Sequence, residues 1–308
     1  MSGVLVTGGT GFVGRPTLEV LVQRGLEVHA LSSRPSPPEL QGVRWHHADL
    51  GDDIAVERVI GAVRPDRLVH LAWYVEHGLF WEAPENVLWV ERSLRLLRAF
   101  AAAGGRRAVM LGTCAEYAWP DRETALSEAA SELAPATLYG VAKDALRRLA
   151  GAYAERHGVE LAWGRLFFLY GPREDTRRLV ASVARALSAG EIAQTGSATQ
   201  RRDFLHVDDV ALALVELLGS PVVGPVNIAS GEAVELAEVL TLIAQACGSP
   251  ELLRRGALAD RAGEPQLLLA DVSRLREEVG FRPRIGLEEG IAKTVEWWRA
   301  EGSEGTGP

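Results

Sequence analysis

The sequence predicts an α/β fold built on a doubly wound parallel sheet, with a smaller lobe at the C-terminal end. In the first half of the 308 residues, short and nearly continuous apolar segments alternate with longer amphipathic ones. That alternation is typical of parallel strands whose two faces are both covered by helices. Hydrophobic residues make up 47% of the chain and charged residues 24%, which excludes a disordered chain, a collagen and a membrane bundle.

The first half predicts strands that alternate with helices. The apolar segments that we interpret as strands cover residues 4–6, 27–31, 68–72, 108–111 and 160–163. Amphipathic helices are predicted at residues 16–24, where Gly25 supplies the C-terminal stop, and at about 84–103 and 137–156. Strands this short and helices this regular favour the α/β class over a β-sandwich.

The pattern becomes less regular after Gly171-Pro172. Helices are predicted at residues 177–189, 208–218, 236–247 and 287–299, and strands at 204–207 and 226–228. We therefore expect a Rossmann-type lobe formed by residues 1–166 plus 205–230. Residues 167–204 plus 231–308 are expected to form a smaller substrate lobe that packs on it.

Net charge and cysteine content indicate which partners and which cellular compartment to expect. The formal net charge is -8 and the isoelectric point is about 5.5, which argues against a nucleic-acid partner because such proteins carry a basic excess. No apolar run reaches the length of about 18 residues that spans a bilayer, so no membrane partner is expected. The first residues enter a predicted strand with no basic segment and no apolar h-region, so we do not expect secretion. Cys114 and Cys247 are too few for a disulfide framework or a zinc site, so we predict a reduced, cytoplasmic protein without a metal.

A glycine-rich turn is the first candidate for chemistry. Gly8, Gly11 and Gly14 follow the first strand and open the first helix. In that context backbone N–H groups and a helix N-terminus can bind the pyrophosphate of a dinucleotide. The spacing is GxxGxxG rather than the GxGxxG of the dinucleotide fingerprint, and a tight turn without a ligand remains an alternative.

The second candidate is a tyrosine and a lysine four residues apart. Tyr139 and Lys143 lie on one face of the predicted helix. A phenol with its ordinary pKa of about 10 is a poor acid or base at neutral pH, so we expect the ammonium to lower it. Lys143 and Lys293 are the lysines among 33 basic residues, and arginine would be a poor substitute for a compact ammonium. A surface helix pair is the alternative interpretation.

Together these motifs resemble the extended short-chain dehydrogenase/reductase superfamily, in particular its nucleotide-sugar epimerase, dehydratase and reductase branch. The resemblance covers nearly the whole chain. Further matching segments are Ala48-Asp49-Leu50, His70-Leu71-Ala72, Tyr170-Gly171-Pro172, the block 202–211, Val226 to Gly231, and Trp297-Trp298.

The resemblance implies hydride transfer between a nicotinamide cofactor and the sugar of a nucleotide-diphosphate sugar. It assigns cofactor binding to Gly8, Thr10, Gly11, Phe12, Val13, Asp49, Leu50, Leu71 and Ala72, together with Tyr139 and Lys143. The second strand ends in Ser32-Ser33-Arg34, where NAD-selective sites usually carry an acidic residue. Hydroxyls and a guanidinium suit a 2′-phosphate, so NADP(H) is the preferred cofactor and NAD(H) the alternative.

The resemblance also implies a catalytic set. Thr113 would bond the reacting carbonyl, Tyr139 would act as the acid or base, and Lys143 would hold the nicotinamide ribose and tune Tyr139. Arg202 and Arg261 resemble diphosphate ligands, because guanidinium groups bind phosphate oxygens in pairs. A strand-end turn residue, for Thr113, and solvated surface charges, for the arginines, are the alternatives.

At several positions this sequence differs from the family pattern, and the differences indicate which of the family's reactions to expect. Dehydratases carry Asp-Glu directly after the threonine, whereas Cys114 and Ala115 stand here, and Glu116 is displaced by one position. Phe168 stands where an asparagine is usual. We therefore predict an NDP-4-keto-6-deoxyhexose C4 ketoreductase, closest to CDP-abequose-synthase-like reductases. A UDP-glucose 4-epimerase-like enzyme with retained NAD is the alternative, and a catalytically silent nucleotide sensor or scaffold is a third.

The remaining aromatic, imidazole and leucine side chains give weaker expectations. Trp163 is expected in the core, while Trp73 and Trp119 are candidates to line a sugar site. His46, His47 and His206 have no metal-ligand spacing and are interpreted as structural, and Cys114 as a small buried side chain. A homodimer is expected through helices 84–103 and 137–156, with apolar positions at Leu94, Leu97, Leu146 and Leu149.

Overall fold

The computed structural model describes residues 3–35, 37–119, 124–259 and 263–304. Its strands, in chain order, are β1 (Gly3–Thr7), β2 (Glu27–Ser32), β3 (Val43–His47), β4 (Arg67–His70), β5 (Arg107–Thr113), β6 (Glu160–Leu166), β7 (Phe168–Tyr170), β8 (Ala193–Gln194), β9 (Arg201–His206), β10 (Gly224–Ile228), β11 (Ala233–Glu235), β12 (Leu253–Arg254) and β13 (Leu267–Leu268). Its α-helices are α1 (Gly14–Gln23), α2 (Asp53–Val63), α3 (Glu85–Ala102), α4 (Leu138–His157), α5 (Leu179–Ser188), α6 (Val207–Gly219), α7 (Leu236–Cys247), α8 (Ser273–Glu277) and α9 (Leu287–Glu304). Within these ranges no helix combines the length and the apolar character needed to cross a bilayer.

Seven strands form one parallel sheet in the order β3-β2-β1-β4-β5-β6-β10. The predicted doubly wound sheet is therefore confirmed, and its order reverses between β1 and β4. In open parallel sheets, ligands bind at the carboxyl ends of the strands beside such a reversal. Thr7, His70 and Thr113, which end β1, β4 and β5, lie at this edge.

Helices cover the sheet on both faces. Apolar side chains of α1 and α6 pack in one core with Val4 and Val6 of β1, and side chains of α2, α3 and α4 pack in another with Leu5. The alternation along β1 follows from the two-residue side-chain period of a strand. Every residue from Val4 to Thr7 is buried, as expected for a central strand of a two-sided sheet.

A second group of elements lies beyond β6. Strand β9 pairs with β7, β11 and β13 in a smaller sheet, and α5, α7 and α9 share a third apolar core. The chain returns to the main sheet through α6 and β10, which pairs with β6. Asp203 of β9 joins these segments because its carboxylate accepts hydrogen bonds from the backbone N–H groups of Ser230, Gly231 and Ala270.

The sequence pattern missed β3 and α2, between the predicted strands at 27–31 and 68–72. Strand β3 has the sequence Val-Arg-Trp-His-His and lies at the sheet edge, so no residue in it is fully buried and no apolar run marks it. Several predicted boundaries were wrong: β4 ends at His70, β6 continues to Leu166, α5 begins at Leu179, β9 begins at Arg201, and α9 continues to Glu304.

The apolar positions proposed for a dimer contact need correction. Leu97 and Leu146 are almost completely buried within the chain, where α3 and α4 face the sheet. The outward apolar residues of these two helices are Val87, Leu88, Val141 and Leu149. Of the four leucines expected at a contact, only Leu149 is among these exposed ones, and Leu94 is partly buried.

Candidate active site

The glycine turn fits tightly against the end of β4. Gly8 has a φ of +74°, and a Cβ added there would lie 2.7 Å from the backbone nitrogen of Ala72. A Cβ at Gly14 would lie 2.0 Å from the carbonyl oxygen of Gly8, which also accepts the N–H of Gly11 at 3.0 Å. Helix α1 begins here without a side-chain cap, so its N-terminus is available to an anionic ligand.

A cavity of about 190 Å³ opens beside this turn. The turn forms one wall, Leu18, Leu40 and Trp45 contribute an apolar wall, and two guanidinium groups reach it, those of Arg15 and Arg173. Uncapped N–H groups and two arginines beside one cavity are the donors that a nucleotide diphosphate needs. The residues present therefore fit the phosphate part of a dinucleotide.

Sequence reasoning missed Arg15 and Arg173. Arg15 pairs with Glu19 at 3.2 Å. Arg173 adopts a φ of +67°, uncommon for a residue with a side chain, and its guanidinium lies 5.7 Å from the ring centre of Trp297 in α9. The position of Arg173 directly after Tyr170-Gly171-Pro172 was the available signal. In a sequence this rich in arginine, that position alone did not distinguish Arg173 from surface arginines.

The loops after β2 and β3 carry the residues expected around the adenosine. The Ser32 hydroxyl is buried and accepts the N–H of Arg34 at 3.0 Å, while Ser33 and Arg34 are exposed. Asp49 is exposed and accepts the N–H of Gly51 at 2.7 Å. Leu50 is buried beside it. Of the other expected residues, Thr10 and Phe12 line the cavity, and Val13, Leu71 and Ala72 are partly buried around the turn.

Thr113 ends β5 and begins a short 3₁₀ turn over residues 114–116. Its hydroxyl accepts the N–H of Ala115 at 3.2 Å, and its own N–H donates to Glu116 at 2.9 Å. This reciprocal capping box holds the backbone of Thr113 in place. The Thr113 side chain also lies close enough to Tyr139 to act on its phenol, which brings together the two hydroxyls predicted to act on one carbonyl.

Tyr139 lies in the first turn of α4, which Thr137 caps by accepting the N–H of Gly140. The N–H of Tyr139 donates to the carbonyl oxygen of Trp81 at 2.9 Å. Burial raises the pKa of Tyr139 above its ordinary value; the neighbouring Thr113 side chain opposes this shift, and the charge of Glu116 adds to it. The phenol is therefore protonated at neutral pH, and the expectation of a lowered pKa is wrong for this structure.

Lys143 is 4% exposed and its ammonium is held away from bulk water. The Nζ atom donates to the carbonyl oxygen of Leu111 at 2.8 Å and lies 3.8 Å from the ring centre of Trp73. Burial lowers the pKa of Lys143 to about 7, and the carboxylate of Glu116 opposes that shift. The side chain is thus placed at the carboxyl edge of the sheet one helical turn after Tyr139, as the spacing predicted.

A buried histidine joins the ends of β1 and β4 to α3. His70 Nδ1 lies 2.6 Å from the Thr7 hydroxyl, and Nε2 lies 2.8 Å from the Ser93 hydroxyl, which donates to the carbonyl oxygen of Trp89. Burial, together with the nearby charge of Lys143, lowers the pKa of His70 to about 3. A neutral imidazole therefore braces the sheet edge beneath the predicted cofactor site.

Glu116 and Cys114 take structural positions. Glu116 is fully buried and accepts the indole N–H of Trp163 at 2.9 Å and the Nε–H of Arg165 at 2.7 Å. Trp163 is 1% exposed, in agreement with the expected core position. Burial and the charge of Glu116 raise the pKa of the Cys114 thiol to about 12, so this thiol is neither a nucleophile nor a proton carrier at neutral pH.

Arg202 reaches the site from β9. It is 2% exposed, donates through Nη1 to its neighbour's carbonyl oxygen at 2.9 Å, and lies 3.3 Å from Glu264 through Nη2. Nη2 has no hydrogen-bond partner in the described part of the chain, and the charge of Arg202 acts on Cys114. Phe168, where an asparagine was expected, packs 5.4 Å from the guanidinium. Arg261, the other expected diphosphate ligand, lies outside the described residues.

A buried carboxyl group that the sequence did not indicate lies in the turn before α5. Glu174 is 4% exposed, and its carboxylate accepts the N–H of Ala181 in the first turn of that helix. Its Oε2 atom has no hydrogen-bond partner among the described residues. Burial raises the pKa of Glu174 to about 8 against the opposing charge of Arg178, which also acts on Tyr139.

The three histidines interpreted as structural have protein partners. His46 Nε2 lies 2.8 Å from His29 Nδ1, His47 Nε2 lies 3.2 Å from the carbonyl oxygen of Ser33, and His206 caps α6. Across the described ranges no group of three or more His, Cys, Asp or Glu side chains is arranged to hold a metal ion.

Comparison with known proteins identifies the family. The family model described as the NAD dependent epimerase/dehydratase family matches residues 4–229. The chain belongs to this family. It is 27% identical over 325 residues to a dTDP-glucose 4,6-dehydratase of Actinoplanes sp., covering 97% of this chain and 98% of the relative.

Solved structures agree over the whole length. The complex of the Thermus thermophilus UDP-glucose 4-epimerase with NAD is 29% identical, with a TM-score of 0.85 and coverage of 96% of this chain and 99% of that one. MoeE5 in complex with UDP-glucose and NAD is 32% identical, with a TM-score of 0.83 and coverage of 97% and 99%. The predicted family resemblance is therefore confirmed, while the CDP-abequose-synthase-like subgroup stays a prediction.

Proposed function

We propose that this protein is an NADPH-dependent ketoreductase acting at C4 of an NDP-4-keto-6-deoxyhexose. The observation that carries the proposal is that Tyr139 of α4 lies beside Thr113 at the end of β5, while the two residues directly after Thr113, a buried thiol and an alanine, supply no acid or base for dehydration. Reduction of a ketone needs a proton donor, whereas epimerisation and dehydration of a sugar alcohol begin by removing a hydroxyl proton. The phenol of Tyr139 can supply that proton.

The chain's own groups would divide the work as follows. Thr113 donates a hydrogen bond to the carbonyl oxygen at C4, which polarises the ketone, and Tyr139 delivers the proton to that oxygen. Lys143, fixed by Leu111 and Trp73, holds the nicotinamide ribose. Arg202, whose Nη2 lies in an ion pair with Glu264, would turn its guanidinium to the diphosphate of the sugar nucleotide. When bound, the nicotinamide supplies the hydride.

The cofactor would bind along the carboxyl edge of the sheet. The uncapped N–H groups of the glycine turn, with Arg15 and Arg173, are suited to its pyrophosphate. The exposed guanidinium of Arg34 and the loop hydroxyl of Ser33 are suited to a 2′-phosphate, which supports NADP(H) over NAD(H). Selectivity for NADP(H) is part of this proposal.

Dehydration and epimerisation, two other reactions of the family, fit these residues less well. Dehydration would need proton carriers directly after Thr113, but Cys114 has a thiol pKa of about 12 and Ala115 has no titratable group. Epimerisation at C4 with retained NAD is the second candidate, favoured by the similarity to the Thermus thermophilus UDP-glucose 4-epimerase. It needs the phenolate form of Tyr139, which burial disfavours.

The proposed assembly is a pair of two-lobed chains. We place the cofactor lobe in residues 1–166 plus 205–230 and the nucleotide-sugar lobe in 167–204 plus 231–308. The protein is proposed to be a cytoplasmic homodimer, paired through the exposed sides of α3 and α4, where Val87, Leu88, Val141 and Leu149 lie. Light scattering at micromolar concentration should give twice the monomer mass of 33.3 kDa, and a monomeric mass would contradict this pairing.

Reaction stoichiometry tests the proposed activity. Purified protein is incubated with dTDP-4-keto-6-deoxyglucose and with the corresponding CDP and UDP sugars, each with NADPH or NADH. We expect one keto sugar to disappear for each NADPH oxidised, with product configuration read by NMR. Interconversion of UDP-glucose and UDP-galactose without added cofactor would establish the epimerase instead.

A further inference from the structure

Aromatic side chains pack around Tyr139. The ring of Trp81 meets the Tyr139 ring edge-on at 5.8 Å and 90°, and the Phe80 ring does so at 4.9 Å and 84°. Trp119 meets Trp81 edge-on at 6.3 Å and 85°. Trp81 and Trp119 therefore form one aromatic surface, which we call the Trp81–Trp119 platform.

The platform is fixed to the catalytic groups by its backbone and by its indole nitrogen. The carbonyl oxygen of Trp81 accepts the N–H of Tyr139 at 2.9 Å. The indole N–H of Trp119 donates to the carbonyl oxygen of Cys114, the residue after Thr113, at 3.3 Å. Each tryptophan is thus tied to one side of the Thr113–Tyr139 pair, and the platform keeps its place relative to the proposed reaction centre.

Exposure distinguishes these two tryptophans from the others near the site. Trp119 is 37% exposed and Trp81 is partly exposed, whereas Trp163 is buried under Glu116. Trp73 is 9% exposed, with its face on Lys143 and its indole N–H on Asn86. Of the two candidates named from the sequence, only Trp119 is therefore free to receive a sugar.

We propose that the Trp81–Trp119 platform binds the apolar face of the substrate's sugar ring and so selects the sugar. This inference rests on the proposed function and extends it to substrate class. A hexose has one face richer in C–H groups, and burying such surface on indole rings is favourable, whereas burying an unpaired hydroxyl there is costly. The platform therefore favours a deoxygenated hexose with a methyl group at C6 over a fully hydroxylated one.

Binding measurements separate the sugar from the nucleotide. We would compare the wild type with Trp119→Ala, Trp119→Phe and Trp81→Phe. The probes are dTDP-4-keto-6-deoxyglucose against dTDP, and UDP-glucose against UDP, titrated by calorimetry. Trp298→Phe is the matched control, because that tryptophan lies in α9 against Arg185 and outside the platform.

Loss of one aromatic contact is worth about 3- to 10-fold in affinity. Trp119→Ala should weaken dTDP-4-keto-6-deoxyglucose by that factor and raise its KM, with dTDP and NADPH affinities within twofold of the wild type. Trp119→Phe and Trp81→Phe should lose less than threefold because a ring remains, and Trp298→Phe should change nothing. The wild type should bind the deoxygenated sugar nucleotide more tightly than UDP-glucose relative to the matching free diphosphates.

Two results would contradict sugar binding by the platform without contradicting the proposed function. One is an unchanged affinity for the keto sugar nucleotide in Trp119→Ala, and the other is an equal loss for the sugar nucleotide and the free diphosphate. If the wild type binds no sugar nucleotide more tightly than its free diphosphate, the proposed function and the platform both fail.

Discussion

Replacement of Lys143 by methionine should stabilise the fold while it removes activity. The ammonium is 4% exposed, and burial lowers its pKa from 10.5 to about 7. That difference corresponds to a cost of about 5 kcal/mol for keeping the buried group charged. Methionine fills a similar volume without a charge, and loses the bond to Leu111 and the contact with Trp73.

The sign of the pH dependence makes this prediction specific. Between pH 7 and 10.5 the unfolded chain binds more protons at Lys143 than the native protein does, so the free energy of unfolding of the wild type rises with pH. Below pH 7 both states are charged and the full burial cost remains. The stabilisation by Lys143→Met should therefore be about 3 kcal/mol larger at pH 6 than at pH 9.5.

Urea unfolding at the two pH values measures this difference. Lys293→Met is the matched control, because Lys293 is a surface lysine paired with Glu289, and its pKa is raised rather than lowered. The same change in unfolding free energy for Lys143→Met at both pH values would refute the argument. Turnover of Lys143→Met should fall by orders of magnitude. A buried charge that destabilises the fold is expected to persist only where the activity depends on it.

Three further predictions concern the site and its surroundings. Tyr139→Phe should lower turnover at least 100-fold and leave the dissociation constant of NADPH within twofold; retention of more than about a tenth of the activity would contradict its role as the acid. Arg34→Ala should weaken NADPH much more than NADH in fluorescence titrations, and equal wild-type affinities for the two cofactors would contradict the NADP preference. Glu174→Gln should raise the melting temperature at pH 9 and leave it unchanged at pH 4. Burial raises the pKa of the native carboxyl from 4.5 to about 8, so at pH 9 the native protein bears the cost of a buried charge, whereas at pH 4 the group is protonated in both states. An equal effect at both pH values would show that burial of the charge is not the cause.

The elements that were predictable from the sequence are those whose pattern is dictated by burial. Strand β5 is buried at every residue and α4 carries a clear apolar face, and both were located within a few residues. Strand β3 lies at the sheet edge, where one side of the pleat meets solvent, so its polar sequence carried no signal. The two-residue strands β8, β12 and β13 are defined by pairing with distant segments, which no local pattern encodes.

The candidate site also contains residues that were predictable from the sequence and residues that were not. Gly8, Tyr139 and Lys143 were found because local rules fix their spacing, and Thr113 was found through the family resemblance. The structure brings all four to one sheet edge. Arg15, Arg173 and Glu174 escaped notice because their importance comes from which cavity or helix end they reach after folding. A composition rich in arginine hides such residues further, since each one resembles a solvated surface charge.

The protonation states of the site also could not be derived from the motif alone. The Tyr-x-x-x-Lys spacing led to the expectation that the ammonium lowers the pKa of the phenol. In the folded chain burial acts on both groups in opposite directions, raising the pKa of Tyr139 and lowering that of Lys143 to about 7. Desolvation disfavours the charged form of each, so the pair is neutral or nearly so at slightly alkaline pH. A neutral phenol is the form that donates a proton to a ketone, and this is the role proposed for Tyr139. Burial of this pair, more than the presence of its two residues, therefore sets the protonation states from which the proposed reaction starts.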